Sequence, residues 1–168
     1  MLVVGVDPGA QGGFAVIDAG RVVFAEPLPV RIGHRGKTEL DAAAFDRLVA
    51  RWNGTEDNGP ISLAVVEDVH AIRGDAIVSL WSFAMNTGRL LGVLEARSVP
   101  TQRVPAPTWK AKVLRDTDRS KAAAIGHVQA RYPEVNLMAT PRSKKPHDGI
   151  ADAVCLAEFG WRFLMKGE

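Results

Sequence analysis

The chain holds one cysteine, Cys155, in 168 residues. A lone cysteine closes no internal disulfide, and without a CxxC pair there is no zinc finger, so a reducing, cytoplasmic setting is expected. No apolar run approaches the ~18 residues of a membrane span. No basic segment precedes the N-terminal apolar run, so a secretory leader is not expected either. Internal repeats and low-complexity blocks are absent, and the length suits one domain over residues 1–168 with its own core. Net charge is also nearly lacking, at +2, but it is unevenly spread. Residues 97–147 carry eleven Lys and Arg against three Asp and Glu, leaving the remainder of the chain acidic. A basic stretch beside an acidic remainder suits a polyanionic partner; a solvated surface with lysines on its helices accounts for it equally.

Three short apolar runs, 2–7, 13–18 and 21–26, are separated by "PGAQG" and "AG", the spacing and turn chemistry of an antiparallel meander. A Pro-, Gly- and Arg-rich loop follows over 27–37. The stretch 38–52 has helical periodicity, with Thr38 and Asp41 placed as a capping box and Leu40, Ala44, Leu48 and Trp52 on one face. "ISLAVVED" reads as a fourth strand, apolar enough to be buried on both faces. A long helix is expected over 75–96, a fifth strand at 98–104, a short helix at 108–114, another helix capped by Asp118 or Ser120, a basic loop with two prolines at 139–147, and a closing helix from Asp148 to Leu164. Three antiparallel strands followed by strands alternating with helices imply an α/β protein, a mixed five-stranded sheet with two further strands in parallel and helices on its faces.

Acids end several of these elements. Asp7 ends the first strand and Glu67 the fourth, while Asp148 and Asp152 open the last helix four residues apart, on one face. If strands one and four are parallel neighbours, their carboxyl ends share the sheet edge where α/β folds place their sites. Acids four apart on a helix repel unless something positive lies between them. Four clustered carboxylates suit hard divalent cations, Mg²⁺ or Mn²⁺. Three of the acids also have a plainer role: Asp7 as a turn former before Pro-Gly, Glu67 as a helix cap or the partner of an arginine such as Arg73, and Asp148 as the N-cap or a first-turn residue favoured by the helix dipole; Asp152, among apolar neighbours that should pack, has the fewest such alternatives.

"GVDPGAQGGFAVID", "VVEDVHA" and "KKPHDGIADAVCLAEFG", in this order and spacing, resemble the RuvC-type Holliday-junction resolvases, phage-type members above all, within the ribonuclease H-like superfamily. "TWKAKVL" followed by "DRSKAAAIGHVQARYP" resembles the connecting segment of the same proteins. The resemblance covers nearly the whole chain. It implies a ribonuclease H-like fold and a homodimeric, metal-dependent endonuclease. Such an enzyme nicks two opposing strands of a four-way DNA junction and leaves 5′-phosphate and 3′-hydroxyl ends, in a bacterial cytoplasm and possibly from a phage gene. The metal ligands of the family carry over to Asp7, Glu67, Asp148 and Asp152. In cellular members the last two acids stand three residues apart, whereas position 149 here is glycine, and His147 is placed to share or replace the role of Asp148.

Two cations ~3.5–4 Å apart clamp the attacking and leaving oxygens of an in-line phosphoryl displacement, and Asp7 is the natural ligand to bridge two per site. DNA contacts are expected from Lys110, Lys112, Arg142, Lys144, Lys145 and His147, and from Trp109, for which packing is the competing role. His70 occupies the loop from which the family inserts residues into the junction centre; Arg73 follows it. The dimer interface is expected on helix 75–96, where Gly88 and Gly92 permit close approach. An actin-like ATPase needs two facing acid-and-glycine halves and this chain supplies one, so no nucleotide cofactor is expected. A related nuclease acting on RNA or on other branched or duplex DNA remains the alternative, since this fold reads backbone shape more than bases. A pure DNA binder gains nothing from acids beside phosphates.

Overall fold

The computed structural model describes residues 1–9, 11–33, 36–55, 59–68 and 77–167, the side chains of 78 and 79 excepted. Strands β1 (Leu2–Val6), β2 (Gly13–Asp18), β3 (Arg21–Pro27), β6 (Ile61–Glu67) and β7 (Thr101–Val104) form one sheet in the order β3-β2-β1-β6-β7. β1 pairs antiparallel with β2 and parallel with β6, β2 pairs antiparallel with β3, and β6 pairs parallel with β7. This is the mixed sheet that the turn chemistry and the strand–helix alternation imply. Among the described residues, no helix is long and apolar enough to cross a membrane.

β1 is buried along its whole length, and its alternate residues serve two cores. Leu2, Val4 and Val6 join Phe14, Val16, Ala64 and Val66 under helices α1 (Ala42–Trp52) and α2 (Ile77–Ala96), which contribute Phe45, Val49, Leu90 and Leu94. On the opposite face Ala15, Ile17 and Val65 meet α3 (Ala106–Val113), α4 (Lys121–Arg131), α5 (Asp148–Phe159) and the π-helical turn Gly160–Met165 that continues α5.

The sequence reading departs from the structure between residues 27 and 41. β4 (Val30–Ile32) and β5 (Thr38–Leu40) form a separate antiparallel hairpin where a loop and a helix start were expected. Thr38 is therefore a strand residue; Asp41 caps α1 by accepting the N–H of Ala44 at 3.0 Å. The reason is tertiary. The backbone N–H of Leu40 donates to Asn86 Oδ1 of α2 at 3.0 Å, and Glu39 pairs with Arg31 and Arg89, so the hairpin is tied down by contacts remote in sequence.

What positions the acid-bearing elements is a backbone-to-backbone contact. α5 lies across β1 at Gly5, where a Cβ would stand 2.1 Å from the Ala153 carbonyl oxygen and 2.3 Å from the Ala157 nitrogen. At the N-terminus of α5, Gly12 and Gly149 form a bridge, and a Cβ on Gly149 would stand 2.1 Å from the Gln11 carbonyl oxygen. The acid pair of this helix is thus 148 and 152 because position 149 admits no side chain. Gly5→Ala is expected to cost about 3 kcal/mol or more, since the obstacle is main chain and cannot rotate away. Gly126→Ala, in α4 with open space around it, is expected to add up to ~1 kcal/mol. Urea unfolding midpoints check both; a Gly5→Ala midpoint equal to wild type would contradict the close approach.

Candidate active site

β1 and β6 run parallel with Val6 opposite Val66, so Asp7 and Glu67 emerge side by side from the same sheet edge. The N–H of Asp7 donates to the Gly13 carbonyl at 3.1 Å, and its Oδ1 accepts the N–H of Gly9 at 3.1 Å, so the turn orients the carboxylate as well as reversing the chain. Asp148 is the first residue of α5, and Asp152 stands one turn further on, only 8% exposed.

The four acids feel one another. Burial, together with the charges of Asp7 and Asp152, pushes the Glu67 carboxyl up to about 7. Burial pushes Asp152 up to about 6, against the lowering charge of Lys110 and with Asp7 and Asp148 adding to the rise. Asp7 is also raised by burial, although the Gly9 N–H offsets part of this. Asp148 is the exception: its hydrogen-bonded ion pair with Lys121 Nζ of α4 holds it below the usual carboxylate range.

Lys121 escaped the sequence reading because it was one of eleven cations in its stretch; only the packing of α4 on α5 singles it out. Lys110 of α3, expected as a DNA contact, stabilises the ionised forms of Asp7, Glu67 and Asp152. Asp68, next to Glu67, pairs with Arg103 of β7. The cations that act on the acid cluster are therefore Lys110 and Lys121.

Trp109 does not face DNA. It is 0% exposed and packs in the core beneath α3. Its indole N–H favours the ionised form of Glu67, although it makes no hydrogen bond of regular geometry. A short helix with two lysines beside the tryptophan looks amphipathic in either sense, and the fold resolves it inward. His147 is the N-cap of α5: its Nδ1 accepts the N–H of Ile150 at 3.2 Å, so one ring nitrogen is committed to the helix rather than to a ligand. Lys112, Arg142, Lys144 and Lys145 are exposed, the last three on the loop that leads into α5. His70 and Arg73 lie outside the described residues.

Among the described residues, no three His, Cys, Asp or Glu side chains are arranged to hold a metal ion as they stand. The chemistry of the donor set nevertheless fits a hard divalent cation. All the donors are carboxylate oxygens, three of them are raised by burial and mutual repulsion, and Asp152 Oδ1 is buried without a hydrogen-bond partner.

No protein-family model matches the chain, and no curated protein matches it in sequence. Among solved structures it is similar to Thermus thermophilus RuvC, with 17% identity and a TM-score of 0.61 over 99% of this chain and 97% of that one. It is also similar to T. thermophilus RuvC in complex with a Holliday junction substrate, with 15% identity and a TM-score of 0.63 over the same shares. The fold is that of RuvC. At these identities the likeness is one of fold, and it spans nearly the full length of both chains, so the RuvC-like sheet and helices expected from the motifs are present.

Raised carboxyl groups leave a signature in stability. Unfolded, Glu67 and Asp152 titrate near 4; folded, they hold their protons to about 7 and about 6. Their contribution is full below pH ~4 and is lost as pH rises through those values. Glu67→Gln is therefore expected to leave Tm unchanged at pH 4 and to raise it at pH 8, by on the order of 5 °C in metal-free protein. Calorimetry at the two pH values checks this; a variant no more stable than wild type at pH 8 would contradict the electrostatic reading.

Proposed function

We infer that this chain is a metal-dependent endonuclease that resolves four-way DNA junctions, nicking two opposing strands symmetrically and leaving 5′-phosphate and 3′-hydroxyl ends. The observation that carries the reading is the set of half-buried Asp7 and Glu67 and buried Asp152, with Asp148 beside it, at one edge of a RuvC-type sheet and flanked by Lys110 and Lys121. Acids whose charge is made costly by burial and by one another suit Mg²⁺ or Mn²⁺, two per site, which Asp7, Glu67, Asp148 and Asp152 would hold. Bound there, such cations would supply Lewis acidity to the phosphoryl oxygens and would lower the pKa of an attacking water.

The chain's own groups do the rest. Glu67, Asp148 and Asp152 fix the charge of the site. Lys110 and Lys121 offer cationic ends to a phosphate drawn against those acids. The exposed Lys112, Arg142, Lys144 and Lys145 extend the positive rim along the duplex arms, where contacts go to phosphates and carry no sequence information.

Cutting two strands calls for two sites, and α2 offers the surface for a C₂ partner. Ile77, Trp81 and Met85 are 83%, 68% and 41% exposed at i, i+4 and i+8, and Gly88 and Gly92 continue that stripe with open space above them. Leu94, also on this helix, is buried in the chain's own core and takes no part. The homodimer we propose joins through this stripe.

The test is cleavage of labelled four-way junctions, splayed duplexes, RNA–DNA hybrids and linear DNA in Mg²⁺ or Mn²⁺, with wild type and Asp7→Asn. Wild type is expected to cut the junction in two symmetric positions. Asp7→Asn is expected to lose at least ~10²-fold of the rate, on the scale of other lost transition-state charge contacts, while binding the junction as well or better. Dimers carrying one wild-type and one Asp7→Asn chain are expected to nick a single strand. Preference for hybrids or linear duplexes would replace the junction with the alternative substrate, and an active Asp7→Asn would remove Asp7 from the site.

A further inference from the structure

Glu158 is fully buried, and the proposed chemistry does not use it. It lies on α5, ten residues beyond Asp148, and one imidazole and two guanidinium groups converge on it. His127 Nε2 stands 2.7 Å from Oε2, while Arg162 Nη1 and Arg131 Nε stand 2.9 Å and 3.0 Å from Oε1. His127 and Arg131 belong to α4, and Arg162 to the π-helical turn that continues α5. A carboxylate taken fully out of water is retained only when its partners satisfy it, and removing one side of such a cluster is strongly destabilising.

The spacing gives this cluster a second consequence. Lys121 and Arg131 are ten residues apart on α4, and their partners Asp148 and Glu158 are ten residues apart on α5. Two helices with partners in the same order lie side by side and parallel, and ten residues span about 15 Å on each. Ala124 and Val128 of α4 pack into the core between the two ion pairs, so α4 rests on α5 over that whole length. One ion pair is exposed and belongs to the site; the other joins a half-exposed arginine to a fully buried carboxylate and does not. A rigid helix fixed at its buried end has its axial register fixed at the exposed end as well.

We propose that Glu158, through Arg131 and His127, is a positioning residue that sets the register of α4 on α5 and so holds the Lys121 ammonium against Asp148. The importance of that placement for cleavage rests on the proposed nuclease function; the placement itself does not.

The test separates the two. In EDTA, a carbodiimide converts a close lysine–carboxylate pair into an amide, and peptide mass spectrometry quantifies the Lys121–Asp148 cross-link. The Met1 α-amine, 3.0 Å from Asp18, supplies a reference cross-link remote from α4. Glu158→Gln keeps the shape and removes the charge. Arg131→Gln removes one strap from a half-exposed position and decides the matter if Glu158→Gln fails to fold. Each folded variant is expected to lower the Lys121–Asp148 cross-link at least threefold relative to the Met1–Asp18 reference. In junction cleavage each is expected to lower kcat with little change in KM, and to have no further effect in a Lys121→Ala background. An unchanged cross-link in folded variants would overturn the proposal, as would a kcat loss that persists undiminished in the Lys121→Ala background. A lowered cross-link in a protein that cuts no junction would leave the positioning role standing and remove the nuclease reading instead.

Discussion

The candidate site depends on a contact in which no side chain takes part. α5 rests on β1 with Gly5 against the backbone at Ala153 and Ala157, and its first turn is bridged to the β1–β2 turn through Gly12 and Gly149. Any Cβ at these points would push the helix away from the strand, and with it Asp148 and Asp152 away from Asp7. The parallel pairing of β1 with β6 then adds Glu67 without further requirement. Glycine is used here for proximity, since none of these positions needs a left-handed backbone.

Proximity has an electrostatic consequence. The same packing that gathers the acids also removes them from water, so Asp7, Glu67 and Asp152 resist ionisation while Asp148 is kept ionised by Lys121. The cluster divides into three carboxyls whose charge is costly and one whose charge is already neutralised. Such a division suits a site that takes up cations with its substrate, because positive charge arriving there relieves repulsion already built into the fold. The basic rim on α3, α4 and the loop before α5 carries the opposite sign, so a polyanion is attracted to the edges and an added cation to the centre.

Much of this was legible from residue order. The apolar runs that end on Asp7 and Glu67 are strands, they do end on one sheet edge, and Ser120 does cap α4 by accepting the Ala123 N–H. What stayed hidden shares one cause, contact between residues distant in sequence. The hairpin of β4 and β5 has weak local pattern and is held by Asn86 and Arg89. Trp109 sits between Thr108 and Lys110 on a helix too short for its periodicity to say which way it faces. His147, put forward beside Asp148 by the acid spacing of four rather than three, holds the Ile150 N–H with Nδ1, a cap that local pattern did not show. Lys121 and Glu158 carry no local signal at all; each is defined by the helix that lies against it.

We propose that the acids at the ends of β1 and β6 and at the start of α5 form one divalent-cation site. The most direct measurement is anomalous diffraction from crystals of the protein soaked in Mn²⁺. The account predicts anomalous peaks within about 2.3 Å of Asp7 carboxylate oxygens and of at least one oxygen from Glu67 or Asp152. Manganese found elsewhere, with Asp7, Glu67 and Asp152 bare at a concentration that saturates other sites, would contradict it.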